Sequence, residues 1–241
     1  MNSSFLKSAL VLGSIVSVGL SSAIAIPQVT MGVFDAGSGG NYRANPNSEL
    51  DWVISNYALG KSTDGTWFGT FCIEKNEYFS NGGVYDVGLN DGAVNGGISG
   101  AVSGKDVISV GTAFLYENFV LGTLSGFNYG DTNASTAVRL SAKQLQNTIW
   151  YLEGEITSVS QGYGSAGYGS FLSLAQSQTN YASDYSGSAV KVMNLTSNDG
   201  RNFHQDQLVY TGVPDAGATL SLLAIGLVGL GAARRLFGKS Q

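Results

Sequence analysis

The chain has 241 residues, with 12 Lys+Arg, 17 Asp+Glu, one histidine and one cysteine. Lys7, Arg234, Arg235, Lys239 and Asp215 lie in the two end segments, which leaves the body with 8 basic and 16 acidic side chains, net −8. No basic patch remains, which argues against a nucleic-acid partner. Charged residues make up only 12% of the chain, while Gly, Ser, Asn and Tyr are abundant. That balance suits an exported, β-rich protein with many turns rather than a cytoplasmic enzyme, and the 11% aromatic content is too high for a disordered chain.

Residues 1–25 carry one Lys, Lys7, near the start, continue through an apolar run and end in Ala23-Ile-Ala25. This is the order of a secretory signal, with cleavage expected after Ala25. Residues 29–34 read as a first strand, and the Gly-rich residues 35–41 as a loop. Residues 51–58 read as a second strand through Trp52, Ile54 and Tyr57. Residues 67–73, Trp-Phe-Gly-Thr-Phe-Cys-Ile, combine aromatic and β-branched residues and read as a central strand covered on both faces. Its alternation puts Phe68, Thr70 and Cys72 on one side and Trp67, Phe71 and Ile73 on the other. Short strands are expected at 84–89 and 106–110, with a Gly/Asn-rich loop or hairpin between them. Residues 112–121 read as a helix capped by Thr112.

The longest helix follows. Apolar residues recur at Val138, Ala142, Leu145, Ile149 and Leu152, spaced 4, 3, 4 and 3, as on one core-facing helix stripe. Ser135 or Ser141 is the expected cap and Gly154 the expected stop. Gln146 falls at the edge of the stripe, half buried, with Trp150 one turn later; Gln144 points to water. A weaker helix is expected from Phe171 through Leu174, Gln178, Tyr181 and Tyr185, then strands at 190–195 and 207–210. The body, residues 26–212, is long enough for one domain. The expected class is α+β: a β-sandwich or barrel with two to three inserted helices.

Residues 213–241 form a second address. Val213, Pro214, Asp215, Ala216 and Gly217 precede an apolar stretch at 218–233, which is followed by Arg234 and Arg235. The stretch is slightly shorter than the roughly 20 residues of a comfortable membrane span, and the basic pair would stay cytoplasmic. The order resembles a PEP-CTERM sorting signal of the VPDSG-CTERM type, with Ala216 where that type has Ser. The resemblance implies processing by an exosortase in a Gram-negative cell, passage through the inner membrane during sorting, and a final place on the cell surface or in the exopolysaccharide matrix.

A lone cysteine in an exported protein is buried, paired between chains, or reactive. Thr70-Phe-Cys-Ile73 and Leu145-Gln-Asn-Thr-Ile-Trp150 resemble the two halves of the thioester domains of bacterial surface adhesins. Leu145 and Thr148 depart from that family's motif, whereas Gln146, Ile149 and Trp150 keep it. The resemblance implies an internal thioester between Cys72 and Gln146, shielded by Trp150 and Phe71, which couples to an amine-bearing surface ligand or exopolysaccharide. The residues by themselves also allow an inert core cysteine and a glutamine that bonds a loop.

Other candidates are weaker. His204 has no second histidine or cysteine for a zinc site, and no Gly-x-Ser-x-Gly elbow accompanies it. Glu74, Glu77, Glu153 and Glu155 read as solvated charges. Asp91, Asp131 and Asp199 sit in Gly/Asn-rich loops without a calcium-loop pattern. Tyr163, Tyr168, Tyr181 and Tyr185 read as loop and packing residues, with a sugar-binding surface as the alternative. No enzymatic activity, metal or cofactor is expected.

Overall fold

The computed structural model describes residues 25–33, 40–94, 104–130, 136–158, 167–198 and 200–212. The signal segment, the sorting segment from 213 onward, Asp131, Ser135, Tyr163 and Asp199 lie outside these residues. Among the described residues, no helix is long and apolar enough to cross a membrane.

Among the described residues, eight strands and four helices follow one another in the order β1 (Gln28–Val33), β2 (Tyr42–Pro46), α1 (Trp52–Ser55), β3 (Phe68–Thr70), β4 (Val84–Asn90), β5 (Gly92–Val94), β6 (Lys105–Val107), α2 (Val110–Leu121), α3 (Thr136–Leu152), α4 (Phe171–Gln176), β7 (Val190–Thr196) and β8 (Phe203–Tyr210). The class is α+β. Six strands form one antiparallel sheet in the order β3-β2-β1-β4-β7-β8, and β5 and β6 form a separate hairpin. The outer strands of the large sheet also meet. Beyond Thr70 the chain runs along β8: the Ile73 N–H donates to the Asp206 carbonyl at 3.1 Å, and the Leu208 N–H to the Phe71 carbonyl at 3.0 Å. Cys72 stands opposite Gln207 between those two bonds. The sheet is thereby closed edge to edge, which removes two exposed strand edges.

Residues 51–58 are not a strand. Leu50, Val53, Ile54 and Tyr57 are the buried positions, a helical spacing, and Trp52 is exposed. The Trp52/Ile54 alternation was a coincidence of period. Tyr57 then reaches the core, where its hydroxyl lies 2.7 Å from that of Tyr116 and accepts the Tyr210 N–H at 3.1 Å. Tyr116 Oη lies within 3.0 Å of the Gly69 and Leu208 carbonyl oxygens, and Thr70 Oγ1 donates to that of Leu208 at 2.6 Å. This buried network ties α1, α2, β3 and β8 together.

Helix α2 starts before Thr112. Ser109 is its cap, accepting the Thr112 N–H at 3.1 Å, so residues 108–110 are not strand. Gly122 ends the helix at φ +74°, a conformation glycine adopts without strain. Helix α3 is described from Thr136. Ser141 lies inside it, bonded to the Val138 carbonyl, and does not cap it. Gly154, at φ +76°, stops α3 as expected: its N–H bonds the Tyr151 carbonyl while the Glu155 N–H bonds that of Trp150, a Schellman pair. Helix α4 has six residues only, and Gln178, Tyr181 and Tyr185 lie beyond it. There the chain turns through Asn180 and lays its Tyr181 and Ser183 carbonyls against the N-terminus of α2. Strand β2 carried no sequence signal strong enough to be expected; Arg43, Asn45 and Pro46 interrupt its apolar pattern.

Candidate functional site

The closure of the sheet sets up the site. Phe71 and Ile73 spend their backbone bonds on β8, so the N–H and C=O of Cys72 point the other way. Strand β2 has already ended its pairing at Tyr42, opposite Thr70. The side chain of Gln146 fills that place. Its Oε1 accepts the Cys72 N–H at 3.1 Å, and its Nε2 donates to the Cys72 carbonyl at 2.7 Å. The same Oε1 accepts the Cys72 thiol at 3.2 Å. One carboxamide, from a helix 74 residues away, completes the strand and contacts the sulfur.

Both residues are fully buried. Gln146 therefore differs from its half-buried expectation. The helical period showed only the face of α3 turned to the sheet. The outer flank is covered by residues 167–170: the Asn147 side chain donates to the Gly167 carbonyl at 3.1 Å, and the Thr148 hydroxyl to that of Tyr168 at 3.0 Å. Gln144 is half buried by the same segment rather than free in water.

Burial pushes the Cys72 thiol well above its ordinary range. The nearby polar groups of Trp150, the Cys72 backbone and Tyr42 favour the thiolate but do not outweigh desolvation, and the charge of Glu74 adds to the rise. Trp150 thus lies at the sulfur. The Phe71 ring packs on Tyr116, Phe119 and Phe127 at centroid distances of 6.4, 5.1 and 6.5 Å. Tyr42 was missed because nothing in sequence marks a strand residue 30 positions upstream as a neighbour of Cys72.

The carboxylates read as solvated are buried. Glu74, Glu153 and Glu155 are each under a tenth exposed. Glu153 accepts both the Ser109 N–H, at 3.2 Å, and its hydroxyl, at 2.8 Å, and burial raises its carboxyl to about 7. Glu155 accepts the Lys75 N–H at 2.9 Å. Asp206 accepts from Val94 N, Asn194 Nδ2 and Leu195 N, pinning the β5–β6 hairpin and the irregularity in β7. Burial, with the Glu74 charge, lifts it to about 7 despite those donors. Glu77, only partly buried, is raised by desolvation, against a hydrogen bond from Glu74. Tertiary contacts, not sequence neighbours, bury these groups.

The remaining candidates have structural partners. His204 Nε2 lies 3.0 Å from the Ser197 hydroxyl, and its ring packs on Tyr85. Asp91 is held low by Lys191, at 2.6 Å, and Lys105. Tyr168 packs on Tyr151, and Tyr185 on the core. Among the described residues, no group of three His, Cys, Asp or Glu side chains is placed to hold a metal ion.

Comparison with known proteins finds one similarity. The family described as the VPDSG-CTERM motif matches residues 212–237. The chain thus carries the C-terminal signal of an exported, sorted protein, consistent with exosortase-type processing and a surface or extracellular location. No curated protein and no solved structure matches the chain. The likeness to thioester domains finds no support in these comparisons.

Proposed function

We propose that the sorting motif delivers this body to the cell surface or matrix, where an internal Cys72–Gln146 thioester couples it covalently to an amine-bearing partner. The observation that carries the reading is the contact of Cys72 Sγ with Gln146 Oε1 at 3.2 Å, in a site closed to water. Proximity of this kind replaces a bimolecular encounter by an oriented one. The Cys72 N–H already polarises the amide oxygen and is placed to stabilise the oxyanion as sulfur adds to the amide carbon. The C–N bond of Gln146 then breaks, the thiol proton passes to the departing nitrogen, and ammonia leaves. The product is an acyl thioester. A partner amine later displaces the thiol, which recovers a proton, and the protein stays attached through the Gln146 acyl group. The protein is consumed by this step once; no turnover is involved, and the reading is not that of an enzyme.

The clamp on the Cys72 backbone favours a second reading. Gln146 satisfies a strand edge that would otherwise be orphaned, and the thiol is held protonated. In that reading the pair is a structural fastener, and the protein is a non-covalent matrix component. Intact mass of the exported chain separates the two. The wild type, compared with Cys72→Ala so that terminal processing cancels, should be lighter than the substitution predicts by one ammonia. Methylamine should then add at Gln146. A wild-type mass with no deficit, and Cys72 unreactive until unfolding, selects the fastener. Sorting has its own test: replacing Pro214 and Asp215 by Ala should leave the chain uncut at its C-terminal segment while export across the inner membrane continues.

A further inference from the structure

The Cys72–Gln146 pair lies under a helix that is itself covered. Val138 and Ile149 mark the centre of the stripe that α3 turns to the core. At about 100° per residue, Asn147 falls about 160–180° from that centre, where a helix residue ordinarily meets water. Asn147 is nevertheless fully buried, as are its neighbours Gln146 and Thr148. Three successive buried positions mean that α3 is enclosed all round at this turn. The cover is residues 167–170, which cross the outer side of the helix as a strap. Asn147 Nδ2 donates to the Gly167 carbonyl at 3.1 Å, Thr148 Oγ1 lies 3.0 Å from the Tyr168 carbonyl oxygen, and the Tyr168 ring packs on Tyr151 at 5.0 Å. Gly169 lies so close to α3 that a Cβ there would stand 2.9 Å from Gln144 Oε1.

The two sides of the pair are held differently. On the sheet side, Phe71 and Ile73 are locked to β8 by backbone bonds, and the Tyr57–Tyr116 network ties that strand pair to α1 and α2. The strap is held on α3 by side-chain bonds and one ring contact. Its residues are half-buried or exposed until Phe171 anchors α4 in the core. Gly167 and Gly169 sit at φ +67° and +57°, so the path of the strap depends on glycine. A segment with few buried apolar contacts opens at a lower free energy than the fold as a whole. A partner amine cannot touch a fully buried acyl group, so the pair needs a route. Outward movement of α3 is the route that leaves the sheet intact, and the strap is what stands in its way.

We propose that residues 167–170 gate the pair: the closed strap holds α3 on Cys72, and its release lets α3 tilt away and admits the amine. The gate rests on the thioester reading for its use, since only a pair that meets a partner needs a route. Its test does not. The rate of modification of the exported chain is followed by mass in native buffer, with methylamine at Gln146 where the ammonia deficit is present and iodoacetamide at Cys72 where it is absent. The deficit judges the thioester and the rate judges the gate. The reaction should outpace global unfolding and vary little with urea below the unfolding transition. Gly167→Ala, whose methyl meets open space but whose φ is strained, and Asn147→Ala should each speed it at least about fivefold. Tyr57→Phe weakens the core network and leaves the strap alone, so its rate should stay within about twofold of the wild type. The gate is overturned if the rate climbs with urea as steeply as global unfolding does, if Tyr57→Phe speeds the reaction as much as the strap variants, or if neither strap variant changes it.

Discussion

At the residue scale the decisive group is Gln146, which serves one cysteine with both ends of its amide. Gln146→Ala would strand a buried N–H and a buried C=O on Cys72, each worth about 1–3 kcal/mol unpaired. With roughly 2–4 °C of Tm per kcal/mol in a domain of this size, a fall of about 4–24 °C is expected by calorimetry. A change under 2 °C would show that the strand edge needs no partner. Cys72→Ala keeps the backbone clamp and loses only the sulfur, so its Tm should fall less, with export unchanged. The two residue types were legible as a pair because thiol and carboxamide have a joint chemistry. The rest of the sulfur's surroundings was not, since Tyr42 arrives from a strand 30 residues upstream and buried Glu74 adds its charge.

At the scale of elements, termini were read less well than faces. Gly154 was visible as a stop because only glycine sits easily at positive φ. Thr112 and Ser141 were plausible caps that lie inside helices, because cap residues are also common elsewhere and the period cannot say which one the chain uses. Ser109 is where α2 meets the end of α3: it caps one helix and bonds Glu153 just past the other. Ser109→Ala should cost about 2 kcal/mol, the upper end for a lost cap, because it also takes the hydroxyl from a buried carboxyl. Ser109→Thr, which retains the hydroxyl, should recover most of that in chemical denaturation. Equal losses in the two variants would place the effect in packing rather than in the cap.

At the scale of the whole molecule, burial makes the fold prefer acid. Glu153 and Asp206 titrate near 7 when folded, against ordinary values of 4.5 and 3.8, and Glu77 is raised in the same direction. The folded chain thus holds protons that the unfolded chain gives up above pH 4. This contribution is full below pH 4 and fades as pH rises through 7. Thermal unfolding should therefore give a higher Tm at pH 5 than at pH 8. Glu153→Gln and Asp206→Asn should each flatten the profile. A Tm that rises across this interval would mean that the three N–H donors on Asp206 outweigh its burial.

The sequence by itself determined the strand that leads up to the cysteine, the amphipathic helix α3, the C-terminal sorting motif and the α+β class. Each of these is written in local order: a period, a turn glycine, or a tripartite signal. Only the tertiary structure decided that β3 runs on to pair with β8, leaving the Cys72 backbone for Gln146 to complete. It also decided that Trp52–Ser55 wind into a turn of helix, that Glu74, Glu153 and Glu155 are buried, and that Trp67 meets the aromatic rings of 119–129 at one cavity. Those features depend on which surfaces meet after the chain closes, and no local pattern records a partner that arrives from a hundred residues away.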